Sequence, residues 1–85
     1  MIYFPAILYP VDDDGLHGCA VPDLLINASG STAEAALHDA AEIMSELLSD
    51  MARDGEPFPE PTQIDVMDLD GGTLVLLPGL ASHAA

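Results

Sequence analysis

Residues 30–55 read GSTAEAALHDAAEIMSELLSDMARDG, and this stretch decides the fold. Apolar side chains recur at Ala33, Ala36, Leu37, Ala40, Met44, Leu47, Leu48 and Met51. That spacing of three or four is the period of one buried face of an α-helix. Ser31 precedes the pattern and Glu34 follows it by three, the arrangement of a capping box. In that box the hydroxyl accepts a first-turn N–H and the carboxylate reaches back. Gly55 ends the stretch as a residue able to take the left-handed conformation after the last turn. Arg53 stands in that turn, where positive charge suits the helix dipole. The sequence therefore predicts one long helix with a marked start and a marked stop.

Outward from the helix, the flanking segments read as strands. Ile2–Val11 (IYFPAILYPV) is rich in β-branched and aromatic residues. Pro5 and Pro10 cannot donate to a ladder, so this strand lies at an edge or turns those positions away from a partner. Asp12-Asp13-Asp14-Gly15 reads as a hairpin turn, because aspartate and glycine tolerate positive φ. Leu16–Val21 returns as a second strand, with Gly18, Cys19 and Ala20 small enough for a helix to lie close. Pro22-Asp23 breaks the pairing, Leu24–Ala28 forms a short third strand, and Gly30 marks its exit. Past Gly55, the segment EPFPEPT is a rigid proline-rich connector and Thr62–Asp70 an irregular or single-turn segment. Asp70-Gly71-Gly72 is a turn, Thr73–Leu77 a last strand, and Pro78-Gly79 its end. The order β-β-β-α-β is that of an α+β domain: a small antiparallel sheet with one long helix on one face. Residues 1–79 are expected to form this single domain, with 80–85 as a frayed tail.

Charge narrows the function classes. The 85 residues carry fifteen Asp and Glu, one Arg and no Lys, a formal net charge of −14. Direct binding of DNA or RNA is excluded as a reading, because that affinity rests on Lys and Arg neutralising phosphates. An anionic membrane would repel the chain as well. A basic protein or a multivalent cation is the natural partner, although solubility or a high-salt cytoplasm would also account for acidity. Glu42, Glu46, Asp50 and Asp54 follow one another at intervals of four, so each neighbours a like charge on one helix face. Such pairs cost about 0.2–0.5 kcal/mol each. A solvated helix face ordinarily mixes signs.

The residues give no sign of an enzyme. Asp12-Asp13-Asp14 fails the spacing of a calcium loop, since Leu16 stands where a ligand is needed, and Asp68 and Asp70 with Gly71 fail it too. His17, His38 and His83 have no zinc-binding spacing. His38 lies between Glu34 and Glu42 on the helix, a local neighbourhood and not a catalytic sign. Cys19 is single, so no internal disulfide or paired-cysteine metal site exists. Ser29 and Ser31 have no paired base, and Gly71-Gly72 lacks a phosphate-loop lysine. No metal and no cofactor is expected. No apolar run reaches the roughly 20 residues of a membrane span. MIYFPAILYP lacks the basic start of a signal peptide, so the cytoplasm is the expected compartment.

Several short pieces, in order, carry a family resemblance. They are Tyr3-Phe4-Pro5-Ala6, Asp14-Gly15, Val21-Pro22-Asp23-Leu24, Gly30-Ser31-Thr32-Ala33-Glu34-Ala35-Ala36-Leu37 with Ala40 and Ala41, Asp54-Gly55-Glu56-Pro57 with Pro59-Glu60-Pro61, and the Thr73–Leu77 strand. Together they span about residues 1–78, and the chain resembles the HicB antitoxins of bacterial toxin–antitoxin systems. The resemblance implies a partial RNase H-like fold without catalysis. It implies a small basic HicA-type toxin as partner, one that cleaves mRNA with a histidine. The family commonly continues Pro-Asp-Leu with Pro-Gly-Cys, where this chain has Leu25-Ile26-Asn27. Many members add a C-terminal DNA-binding domain; the 85 residues read here hold none, as in a stand-alone member or a shortened chain, so promoter control is not expected of these residues.

On this reading the chain neutralises its toxin by covering the RNA-binding and active surface. Candidate toxin contacts are Asp12, Asp13, Asp14 and Asp23 at the sheet end and Glu42, Glu46 and Asp50 on the helix. Pro22, Gly30, Ser31, Glu34 and Gly55 are expected to be structural. A homo-oligomer, dimer or tetramer, is expected through sheet edges that need cover. The alternative is a stand-alone acidic dimerisation or adaptor domain with no toxin partner.

Overall fold

A computed structural model of the chain describes residues 3–63, 69 and 71–79. Most of the expected Thr62–Asp70 segment lies outside those residues, as do Ile2 and the expected tail. Four strands and one helix follow in the order β1 (Tyr3–Leu8), β2 (His17–Val21), β3 (Ile26–Gly30), α1 (Ala33–Arg53) and β4 (Thr73–Pro78). The strands form one antiparallel sheet in the order β3-β2-β1-β4. The fold is α+β, as the sequence indicates.

β1 is an interior strand, so Pro5 does not sit at an edge. Its tolerance has a geometric cause. The Tyr9 N–H donates to the Gly18 carbonyl at 2.8 Å, and the register pairs Ile7 with Ala20. Hydrogen-bonded pairs recur at every second residue of an antiparallel ladder. The next such pair would set Pro5 against Pro22, and neither has an N–H to give. The ladder between β1 and β2 stops there with no donor orphaned. Pro10 lies beyond the end of β1, which is shorter than the expected Ile2–Val11.

The third strand begins later than expected. Pro22–Leu24 form one 3-10 turn, and Leu25 closes it in the left-handed region at φ 56° and ψ 37°, its N–H donating to the Pro22 carbonyl at 3.2 Å. β3 therefore starts at Ile26. Gly30 is the last residue of β3, paired with His17, rather than an exit beyond it. Its missing side chain matters for close approach: a Cβ here would lie 2.5 Å from the Ala36 nitrogen and 2.7 Å from the Ala35 carbonyl carbon. The first turn of α1 rests directly on the end of the strand.

Thr32, not Ser31, caps α1. The backbone is extended at Thr32 (φ −130°, ψ 161°), and its Oγ1 accepts the Ala35 N–H at 3.0 Å. Ser31 and Thr32 offer adjacent hydroxyls, and the seat of the first turn on Gly30 selects the second. The third helical residue is then Ala35, so no carboxylate reaches back. Glu34 contributes only its charge at the positive end of the dipole. At the other end, Gly55 takes φ 75°. Its N–H donates to Ala52 O at 3.2 Å and the Glu56 N–H to Met51 O at 2.8 Å. These two bonds are a Schellman motif, which satisfies the last carbonyls.

The helix lies chiefly over β3 and β2. Ala36, Ala40, Met44 and Leu48 are buried, against Phe4, Ala6, Cys19, Val21, Leu24, Ile26 and Leu77, with Leu37, Leu47, Met51 and Phe58 closing the margin. Small side chains at 36 and 40 let the helix approach the sheet. Pro5 and Ile7, on the opposite face of β1, are buried as well, so the interior strand is covered on both sides.

Candidate partner-binding surface

The acidic turn between β1 and β2 uses one carboxylate to hold itself. Asp12 Oδ1 accepts the N–H of Asp14 at 2.9 Å and that of Leu16 at 3.0 Å. The backbone adds Gly15 N–H to Asp12 O at 3.0 Å and Asp12 N–H to Leu16 O at 2.8 Å. An aspartate does this because its short side chain mimics a backbone carbonyl two residues on. Asp13 and Asp14 are exposed and meet no cation among the described residues.

Asp23 is also committed. Its Oδ2 accepts the Thr62 N–H at 2.8 Å, and its Oδ1 accepts the Thr62 hydroxyl. These bonds fasten the end of the proline-rich connector to the 3-10 turn.

The helix presents the larger acidic surface. Glu42, Glu46, Asp50 and Asp54 are all exposed. At a rise of 1.5 Å per residue they span roughly 18 Å. His38 Nδ1 lies 3.6 Å from Glu42 Oε1, and Arg53 pairs with Asp50. Both pairs are exposed, where such contacts contribute little. The single cationic side chain of the chain is thus spent on its own helix, and Glu46 is left with only like charges four residues either way.

The two acidic groups are not brought into one cluster. Gly30, last in β3, pairs with His17, first in β2. α1 therefore starts at the end of the sheet that carries the Asp12–Gly15 turn and runs away from it. Asp13 and Asp14 stand near the helix start, whereas Glu42 to Asp54 occupy its second half. Among the described residues no group of three or more His, Cys, Asp or Glu could hold a metal ion. His17 Nδ1 lies 3.1 Å from the Tyr9 carbonyl, a structural contact. Cys19 is buried in the core, and burial pushes its thiol pKa up from 9.0. No helix among the described residues is long and apolar enough to cross a membrane.

Apolar surface at the opposite end of the sheet is absent from the sequence-based candidates. Tyr3 is 50% exposed, Leu76 47% and Leu25 89%. A signal was present in TLVLL. Alternation on a sheet with one helix places Val75 and Leu77 toward the helix and leaves Leu74 and Leu76 on the other face. Leu25 gave none, because its conformation depends on the turn that precedes it.

Comparison with family models finds no match, and comparison with curated proteins finds none either. Solved structures do match. The antitoxin HicB of Burkholderia pseudomallei superposes with a TM-score of 0.80 at 22% identity, covering 96% of this chain and 66% of that one. The N-terminal domain of the same antitoxin gives a TM-score of 0.78 at 20% identity, covering 91% of this chain and 96% of that domain. The chain therefore spans about two thirds of the length of the longer antitoxin structure, and its fold is that of the N-terminal part.

Proposed function

We propose, from a fold shared with the N-terminal domain of an antitoxin, that this chain neutralises a small basic toxin of the HicA type. It does so by covering the cationic surface with which such a toxin holds and cleaves mRNA. The observation that carries the reading is the one-signed helix face. Glu42, Glu46, Asp50 and Asp54 stand in a rank, and the one arginine offsets Asp50 alone. Their repulsion lowers the stability of the isolated chain and is relieved when a cationic surface docks. Complementary charge also speeds encounter.

The candidate contacts divide by local commitment. Asp12 and Asp23 are held by backbone and Thr62, and Asp50 is shared with Arg53. Asp13, Asp14, Glu42 and Glu46 remain to meet the toxin. The chain itself performs no chemistry on this reading. Self-assembly belongs to the same proposal, through β3 and β4, which have one strand neighbour each among the described residues.

The test is to co-express the chain with the small basic protein encoded beside it, made inactive, and to measure binding by surface plasmon resonance at 50 mM and 500 mM salt. The expected result is a stable complex whose association rate falls at least tenfold at the higher salt, together with arrest of RNA cleavage by the active form. Absence of a basic neighbour frame, or no complex at 50 mM salt, refutes the proposal.

A further inference from the structure

β4 is an edge strand without the usual guards. Edge strands ordinarily carry a charge, a bulge or a covering helix where a foreign strand would pair. β3, the other edge, lies beneath α1 and exposes Asn27 and Ser29. Thr73–Pro78 carries no charge, and α1 lies chiefly over β3 and β2 instead.

The register shows which groups of β4 face outward. Tyr9 bonds toward β2 at Gly18, so alternation along β1 turns Phe4, Ala6 and Leu8 toward β4. Their partners are Leu77, Val75 and Thr73. Leu74 and Leu76 therefore turn their N–H and C=O groups away from β1. Neither makes a further backbone bond among the described residues. The outward positions on either side are closed. The Gly72 N–H is already given to Leu69 O at 2.8 Å, and Pro78 has no N–H.

We infer that β4 pairs antiparallel with β4 of a second copy about a two-fold axis at Val75. In that register Leu74 faces Leu76 of the second copy and Leu76 faces its Leu74, and all four leucine N–H groups and carbonyls are satisfied. A shift of two residues either way sets a leucine carbonyl against Gly72 or Pro78, neither of which has an N–H to give. The donor pattern thus fixes one register, and it is self-complementary, as a two-fold contact requires. Val75, half-buried at the margin of the core, meets its own copy at the axis. Leu76, 47% exposed, gains cover from Leu74 across the seam.

The net charge of −14 opposes this pairing at long range but not at the contact. β4 stands two strand spacings from β2, about 10 Å. Across the joined edges the two helices are then more than about 20 Å apart, over twice the Debye length at physiological salt. The two-fold axis also sends the two Asp12–Asp14 turns to opposite ends of the joined sheet. One strand from each copy buries less than the roughly 1,600 Å² of a standard interface, so the dimer is weak and concentration-dependent. The inference deepens the self-assembly proposed above by choosing β4 and its register. It is tested on the chain alone, so its failure and a failure to bind toxin are separate results.

Cross-linking reads the register. In a Cys19→Ala background, Val75→Cys places two thiols on a non-hydrogen-bonded pair with Cα atoms about 4.5 Å apart, within disulfide reach. Leu74→Cys places them on a diagonal of about 7–8 Å. Under mild oxidation Val75→Cys should form the covalent dimer at least tenfold faster. Sedimentation equilibrium supplies the second arm. The parent dimer should tighten at least threefold from 50 mM to 500 mM salt, because salt screens the repulsion. Leu76→Pro removes an outward N–H and no ladder bond, so it should keep its circular dichroism spectrum and sediment as a monomer. Equal cross-linking at 74 and 75, a folded Leu76→Pro that still dimerises, a dimer that weakens in salt, or a parent that stays monomeric at about 1 mM protein overturns the inference. If Leu76→Pro does not fold, the cross-linking ratio decides without it.

Discussion

Replacing Gly30 by alanine should be the most damaging single methyl addition to this sheet. The new Cβ would lie 2.5 Å from the Ala36 nitrogen and 2.7 Å from both the carbonyl carbon and the Cβ of Ala35. Carbon contacts relax at about 3.5–4.0 Å, so the first turn of α1 must retreat by about 1 Å. No rotamer change relieves the clash, because two of the three atoms are backbone. The retreat lifts Ala36 and Ala40, both fully buried, and a gap of that size forfeits up to half of their dispersion contact. Overpacking and lost contact together give a cost of about 2–4 kcal/mol. A domain of this length has about 4–13 kcal/mol in total. Urea unfolding followed by far-UV circular dichroism measures the difference, and with a slope of about 1 kcal/mol/M the midpoint should fall by about 2 M or more. Gly18→Ala is the control. Its nearest neighbour would be Tyr9 Cδ2 at 3.6 Å, an ordinary contact, so stability should stay within about 0.5 kcal/mol of the parent. A Gly30→Ala midpoint equal to the parent, or equal damage from Gly18→Ala, would refute the close approach of α1 to β3.

Further outcomes follow from the same contacts. Thr32→Ala should lose about 1 kcal/mol by removing the cap, whereas Ser31→Ala should change stability by less than about 0.5 kcal/mol; paired urea titrations distinguish them. Glu46→Lys should stabilise the isolated chain by about 0.5–1 kcal/mol at low salt, by replacing two like-charge contacts with opposite ones, and the gain should shrink in 1 M salt. The raised Cys19 pKa sets a sign at high pH. Below the ordinary thiol value of 9.0 both folded and unfolded chains keep the proton, and above it the unfolded chain releases its proton first. Stability should therefore decline as pH rises past that value, and Cys19→Ala should remove this part of the decline in melting temperatures recorded from pH 8 to 10.

The sequence carried those features whose causes are local. The stripe from Ala36 to Met51 needs only its own period to be read, and the two N–H donors at Gly55 and Glu56 need only the glycine. Where a feature depended on a partner far along the chain, the sequence left it open or misled. For Pro5 an edge strand and a position turned from a partner both stood open, because nothing near it reveals that β4 arrives from residue 73 onward, or that Pro22 faces it where the ladder ends. Ser31 looked like the cap because its spacing to Glu34 is right. The choice of Thr32 goes with how the first turn seats on Gly30, a close packing contact that spacing alone does not show. For the candidate surface, charge was legible from composition, and the pairing of Asp50 with Arg53 from their spacing on the helix. The commitment of Asp23 was not, because it is set by bonds to Thr62, 39 residues on, that only the folded chain brings together.

The placement of β4 beside β1 divides the molecule by history as well as by space. β1, β2, β3 and α1 are continuous in sequence and can assemble from short-range encounters. β4 must close a separation of 65 residues to bring Thr73 to Leu8 and of 75 to bring Pro78 to Tyr3. Long closures are entropically costly and slow. On an emerging polypeptide the first unit is therefore available while the flank of β1 still lacks its neighbour, with the amides of Phe4, Ala6 and Leu8 unanswered. During that interval the nascent chain has a sticky seam, and the arrival of the last strand is the event that seals it.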